Sequence, residues 1–88
     1  MEIEFEKKIL RDLRDLTDNS FLIYIESLVK ALKSSDSLRS FKECKKLKGS
    51  DIHYRFKFRN LRIGVSFKEG KIKFIRAFHG KEIYRFFP

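Results

Sequence analysis

Cysteine and proline each occur once in the 88 residues, glycine four times and tryptophan not at all. With Cys44 alone, neither an internal disulfide nor a multi-cysteine metal site can form, and the thiol is expected to be buried or inert. The two histidines, His53 and His79, lie far apart and have no cluster of Cys, Asp or Glu partners, so no dedicated zinc site is expected. No stretch rich in Gly, Ser or Pro marks a linker or a disordered tail. Apolar runs stop after a few residues and no signal-peptide pattern is present, so neither a membrane span nor export is expected, and the cytoplasm is the expected location. A chain this short makes one domain, residues 1–88, with one modest core and no large enclosed active site.

What is abundant is aromatic and positive. Ten Phe and three Tyr within a 42% hydrophobic content suffice for a folded core. Twenty-one Lys and Arg against twelve acidic residues leave a net charge of +9, a field that attracts polyanions. Nucleic acid is the first candidate partner and a membrane surface the second.

Residues 1–7, MEIEFEK, alternate Ile3 and Phe5 against Glu2, Glu4 and Glu6, as a strand with one buried face does. From Lys7 the period changes, and Ile9, Leu13 and Leu16 mark a short amphipathic helix. Thr17 to Ser20 are cap and turn formers, and Phe21, Ile25, Leu28 and Leu32 predict a second helix from about Ser20 to Lys33. So short a link should fold the two helices into an antiparallel pair. Leu38, Phe41 and Leu47 anchor a segment of unassigned structure, after which HYRFKF, LRIGVSF and KIKFIRAF form a three-stranded meander. The order β-α-α-β-β-β with a short tail or helix predicts an α+β domain, a helical hairpin on one face of a mostly antiparallel four-stranded sheet.

If Arg59-Asn60 is a two-residue turn, Phe58 faces Leu61, Lys57 faces Arg62, Phe56 faces Ile63 and Arg55 faces Gly64. Alternation of bonded and non-bonded pairs puts Lys57 and Arg62 at the closer, non-bonded spacing. Like charges directly opposite cost roughly 0.2–1 kcal/mol, a penalty that an anion lying across both reverses. Gly64, with Ser66 beyond it, is expected to leave this face low and open. Cationic strand faces also deter edge-to-edge aggregation, so charge alternation by itself does not define a site.

The last segment places His79, Lys81 and Tyr84 within six residues, expected at the edge of the same floor. RNA can be cleaved without metal or cofactor when its own 2′-hydroxyl attacks the adjacent phosphate, given a proton acceptor, a proton donor and cations around the phosphorane. Like charge around an ammonium disfavours protonation, which makes Lys57 a candidate base. Tyr84 can orient the reacting group or stack on a nucleobase, or serve equally as a packing residue. His79 offers an imidazole, or is a surface histidine.

Lys45-Lys46-Leu47-Lys48-Gly49, YRFKFRNLRIG at 54–64 and FIRAFHGKEIYRFFP at 74–88 together resemble the RelE/ParE superfamily of bacterial and archaeal toxins, nearest to its RelE-like branch. The likeness runs over essentially the whole chain. It implies a RelE-like fold and a toxin of a type II toxin–antitoxin system, an mRNA interferase that cuts mRNA in the ribosomal A site. A cognate RelB-like antitoxin would fold around the toxin in a hetero-oligomer. By position, Arg55, Lys57 and Arg62 match the family's phosphate-binding and catalytic cations, Tyr84 its C-terminal tyrosine and His79 its histidine, with Lys46, Lys48, Arg59, Arg76 and Lys81 as RNA-binding candidates.

The chain departs from the family pattern twice. Gly80 stands where an arginine is usual, which implies attenuated activity unless Lys81 or Arg76 substitutes, and Arg59 begins a turn that usually begins with glycine. A ParE-like DNA gyrase inhibitor and a non-catalytic nucleic-acid-binding module are the alternatives.

Overall fold

In the computed structural model, which describes all 88 residues, the elements are β1 (Glu2–Phe5), α1 (Lys7–Arg14), α2 (Asn19–Lys33), β2 (Cys44–Lys46), β3 (His53–Phe58), β4 (Leu61–Lys68), β5 (Lys71–His79) and, after a single 3-10 turn at Gly80–Glu82, α3 (Ile83–Phe86). The five strands form one sheet in the order β1-β5-β4-β3-β2. β1 runs parallel to β5 and every other pair is antiparallel. The α+β architecture is the predicted one, with a fifth strand where four were expected. β2 is only three residues long and lacks alternating apolar positions, so its sequence carries no strand signal.

The helices form where the apolar period predicts them. Asp18 caps α2, its carboxylate accepting from the Ser20 amide at 2.8 Å and the Ser20 hydroxyl at 2.6 Å. At the other end of α2 the Met1 ammonium donates to the carbonyls of Leu32, Lys33 and Ser35, placing positive charge on the negative end of the helix dipole. Phe21, Ile25, Leu28 and Leu32 are all buried, as is Ile9 of α1. They meet Phe56, Leu61, Ile63, Val65, Ile72 and Phe74 from the sheet in one cluster of 14 buried residues. Phe5 stacks on Phe74 with ring centroids 4.7 Å apart, fixing the parallel register of β1.

β5 carries a register shift. Gly64 pairs with Arg76 and Val65 with Phe74, so Ile75 is an extra residue in the ladder. Side chains alternate faces along a strand, and one inserted residue inverts all those that follow. Ile72 and Phe74 point to the helices, and beyond the bulge so do Ala77 and His79, while Arg76 and Phe78 turn to the opposite, outer face. Beyond Phe5 the edge of β5 is closed by α1, because Asp12 accepts from the Ala77 amide at 2.9 Å and from the Arg76 guanidinium at 2.8 and 3.2 Å.

The outer face is not bare. The chain end crosses it, and Phe87 and Ile83, both buried, lie outside the main cluster and form a small second core there. Gly64 is buried beneath the Phe87 ring, and a Cβ at that position would lie 2.6 Å from a ring carbon. The expectation of an open surface at Gly64 is thereby corrected: the missing side chain admits a ring. His53 packs edge-on against the same ring at 5.3 Å.

Two outcomes follow from this packing. Gly64→Ala must lift Phe87 off the sheet and is expected to destabilise by about 1–3 kcal/mol, read as a lower urea midpoint, with most of that loss absent when the substitution is made in a Phe87→Ala background. Burial, reinforced by the Glu43 carboxylate, pushes the Cys44 thiol up to about 12, so at pH 8 its thiolate is about a thousandfold scarcer than that of an ordinary cysteine. Alkylation with iodoacetamide is expected to be slow in the native protein and to accelerate by that order in urea.

Candidate nucleic-acid interface

The β3–β4 hairpin adopts the predicted register: Phe58↔Leu61, Lys57↔Arg62, Phe56↔Ile63 and Arg55↔Gly64. Arg59 sits at φ 52°, the left-handed region that a two-residue turn requires of its first residue here and that glycine adopts without strain. The Lys57 amide donates to the Glu43 carbonyl at 3.1 Å, away from β4, so Lys57 and Arg62 do occupy a closer, non-bonded pair. Lys45 pairs with Arg55 across β2 and β3. Residues opposite one another share a face, so Lys45, Arg55, Lys57 and Arg62 all project from the outer side of the sheet.

Three of these positions, Arg55, Lys57 and Arg62, are braced. The Arg55 guanidinium donates to the Glu43 carbonyl at 2.9 Å, the same oxygen that holds the Lys57 amide. Glu43 is anchored through its carboxylate, which accepts from the Tyr24 hydroxyl at 2.9 Å. Tyr24 in turn stacks on Phe58 at 4.4 Å, and its burial together with the Glu43 charge pushes the phenol well above its usual range. Arg62 folds toward the turn, donating to the carbonyls of Arg59 at 2.7 Å and Leu61 at 3.1 Å. Lys57 is exposed, Arg55 and Arg62 are half-buried, and none of the four floor cations forms an ion pair with a carboxylate.

Other predicted residues lie elsewhere. Lys46 pairs with Tyr54 and so belongs to the helix side of β2, where it approaches Asp51 at 3.9 Å, and Lys48 is exposed in the loop beyond. Arg59 reaches the Ser20 hydroxyl at 3.1 Å, leaning toward the start of α2. Arg76 is on the outer face, but its charge is matched by Asp12 and its guanidinium lies 4.3 Å from the centre of the Phe78 ring, which makes it a clamp between α1 and β5. His79 is exposed on the helix side, 5.6 Å from the Phe21 ring. The expectation that it borders the floor fails because the Ile75 bulge reverses its direction. Lys81 is exposed in the 3-10 turn, and Tyr84 is 55% exposed on α3.

Gly80 has a positive φ of 56°, and its amide donates to the Asn60 carbonyl at 2.6 Å, tying the end of β5 to the hairpin turn. A side chain would fit, the nearest atom to an added Cβ being 3.5 Å away, but the backbone there favours glycine. Sequence inspection overlooked Lys45 and Glu43. Lys45 is recoverable from the pattern once β2 is known, whereas the role of Glu43 rests on its carbonyl and leaves no trace in residue type.

A floor of four unneutralised cations, in two directly opposed pairs, is electrostatically unsatisfied and fits a phosphate backbone. No helix is long and apolar enough to cross a membrane.

No family model matches the sequence. Toxin RelE3 of Methanocaldococcus jannaschii is 33% identical over 89 residues, covering all of both chains. The RelB–RelE antitoxin–toxin complex from Methanococcus jannaschii contains a chain of 30% identity that superposes with a TM-score of 0.82, over 97% of this chain and 99% of that one. The YoeB dimer of Staphylococcus aureus shares the fold at a TM-score of 0.71 and 19% identity, over 90% of this chain and 97% of that one. With one residue in three shared from end to end and the same strand-and-helix framework throughout, the chain belongs to the RelE family of toxins.

Proposed function

We propose that the protein is the toxin of a type II toxin–antitoxin pair and acts as a ribosome-dependent, metal-independent endoribonuclease on mRNA in the A site. The observation that carries this is the opposed pair Lys57 and Arg62, with Arg55 and Lys45 beside it, lacking any carboxylate partner on the outer face. In this mechanism Arg55 and Arg62 hold the non-bridging oxygens of the scissile phosphate. Lys57, as the base, takes the proton of the 2′-hydroxyl as its oxygen attacks phosphorus, the bond to the 5′-oxygen breaks, and a 2′,3′-cyclic phosphate remains. Tyr84 on the exposed face of α3 stacks on or orients a base. With Gly80 where the family resemblance implies an arginine, and His79 turned to the other face, water protonates the leaving 5′-oxygen, which keeps turnover low.

The partner is an antitoxin, as RelB is for RelE in the antitoxin–toxin complex whose toxin shares this fold. An acidic or disordered antitoxin segment that folds across the floor would neutralise the same cations that bind RNA.

Primer extension on mRNA with programmed ribosomes tests the mechanism. Lys57→Ala and Arg62→Ala are each expected to lower cleavage by about a hundredfold or more, while Lys57→Ala, at an exposed site, leaves stability within about 0.5 kcal/mol of the original. Undiminished cleavage in either variant would overturn the assignment. Gly80→Arg is expected to raise cleavage above that of Gly80→Ala, although both sacrifice about 1–2 kcal/mol of stability to the positive φ. If no variant cuts mRNA, a DNA gyrase assay and an oligonucleotide-binding assay separate the ParE-like inhibitor from the binding module.

A further inference from the structure

Phe86 is an anomaly on the outer face. It is 52% exposed although its ring is held in a defined position, packed against Phe78 at 5.3 Å and with the Arg85 guanidinium 5.5 Å from its centre. Phe78 occupies the same cross-strand row as Lys57 and Arg62, so this aromatic surface continues directly from the cationic pair. On its other side Phe86 borders a groove of about 640 Å³ that runs to the start of α1 and is lined there by Lys7 and Lys8. Both lysines are exposed and neither has a carboxylate partner. Of the side-chain carboxylates on the rim, Glu4 is occupied by Lys71, leaving Glu6.

We propose that this groove is a second nucleotide subsite for single-stranded RNA, in which a base next to the cleavage point stacks on Phe86 and its phosphate is taken by Lys7 and Lys8. Proteins that hold single strands without reading sequence combine an aromatic platform with a cationic track, and both are present here, contiguous with the floor. Arg85 adds a cation at the rim of the platform. The subsite rests on RNA being the ligand of the floor and gives the strand a direction: from the hairpin tip, across α3, toward the start of α1.

The chain contains no tryptophan, so Phe86→Trp introduces a single emitter at the subsite. Titration with a 2′-O-methyl hexanucleotide, which lacks the attacking hydroxyl, is expected to quench that emission saturably, whereas inorganic polyphosphate binds without quenching. Replacing Lys7 and Lys8 by Gln is expected to weaken hexanucleotide binding severalfold and to flatten its salt dependence. Phe86→Ala, followed by anisotropy of a labelled hexanucleotide, is expected to weaken binding about five- to hundredfold with an unchanged melting temperature. Hexanucleotide binding without quenching, equal quenching by polyphosphate, or unimpaired binding by Phe86→Ala would each overturn the subsite. Because the probe cannot be cleaved, a failure of the nuclease mechanism shows separately, as uncut mRNA beside intact oligonucleotide binding.

Discussion

The arrangement of both faces turns on one extra residue. Without the bulge, with Ile75 paired in regular alternation, the parity set by Ile72 and Phe74 would carry Arg76 and Phe78 into the helix side and His79 out onto the cationic floor. With it, Arg76 meets Asp12, Phe78 supports the α3 aromatics, and small Ala77 takes the core position. The bulge thereby decides which side chains can act together. It falls where α1 takes over from β1 as the cover of the β5 edge.

Charge is managed in two ways on the same small body. Where a cation serves the framework it is matched, as Arg76 is by the half-buried carboxylate of Asp12, an arrangement that also satisfies a backbone amide. On the floor the two arginines are held in place by carbonyl oxygens, which orient a guanidinium without cancelling its charge. The positive field therefore survives at the surface where an anion is to be bound. The Glu43 carbonyl is the economical example, fixing the side chain of Arg55 and the main chain of Lys57 together.

Much of this was legible in the residues, and the failures have physical causes. A two-residue turn sets the register of a hairpin, so Lys57 could be placed opposite Arg62 from sequence alone. The 4-3-4 spacing of Phe21, Ile25, Leu28 and Leu32 likewise names the buried stripe of α2. Gly64 was ambiguous in kind: a glycine that leaves a surface open and one that admits a ring look identical until Phe87 is seen on top of it. His79 was misplaced because a bulge has no residue signature, and Arg76 because Asp12 lies 64 residues earlier.

The parallel pairing of β1 with β5 joins segments about seventy residues apart in the chain. Ile3 and Phe5 have no ladder to join until Ile72 and Phe74 are in place, and closing so long a loop costs entropy before any contact repays it. The sheet is thus completed in its interior by its last strand. Until β5 is in place the first strand has no ladder partner, so one late-joining strand supplies both the interior of the sheet and its parallel edge.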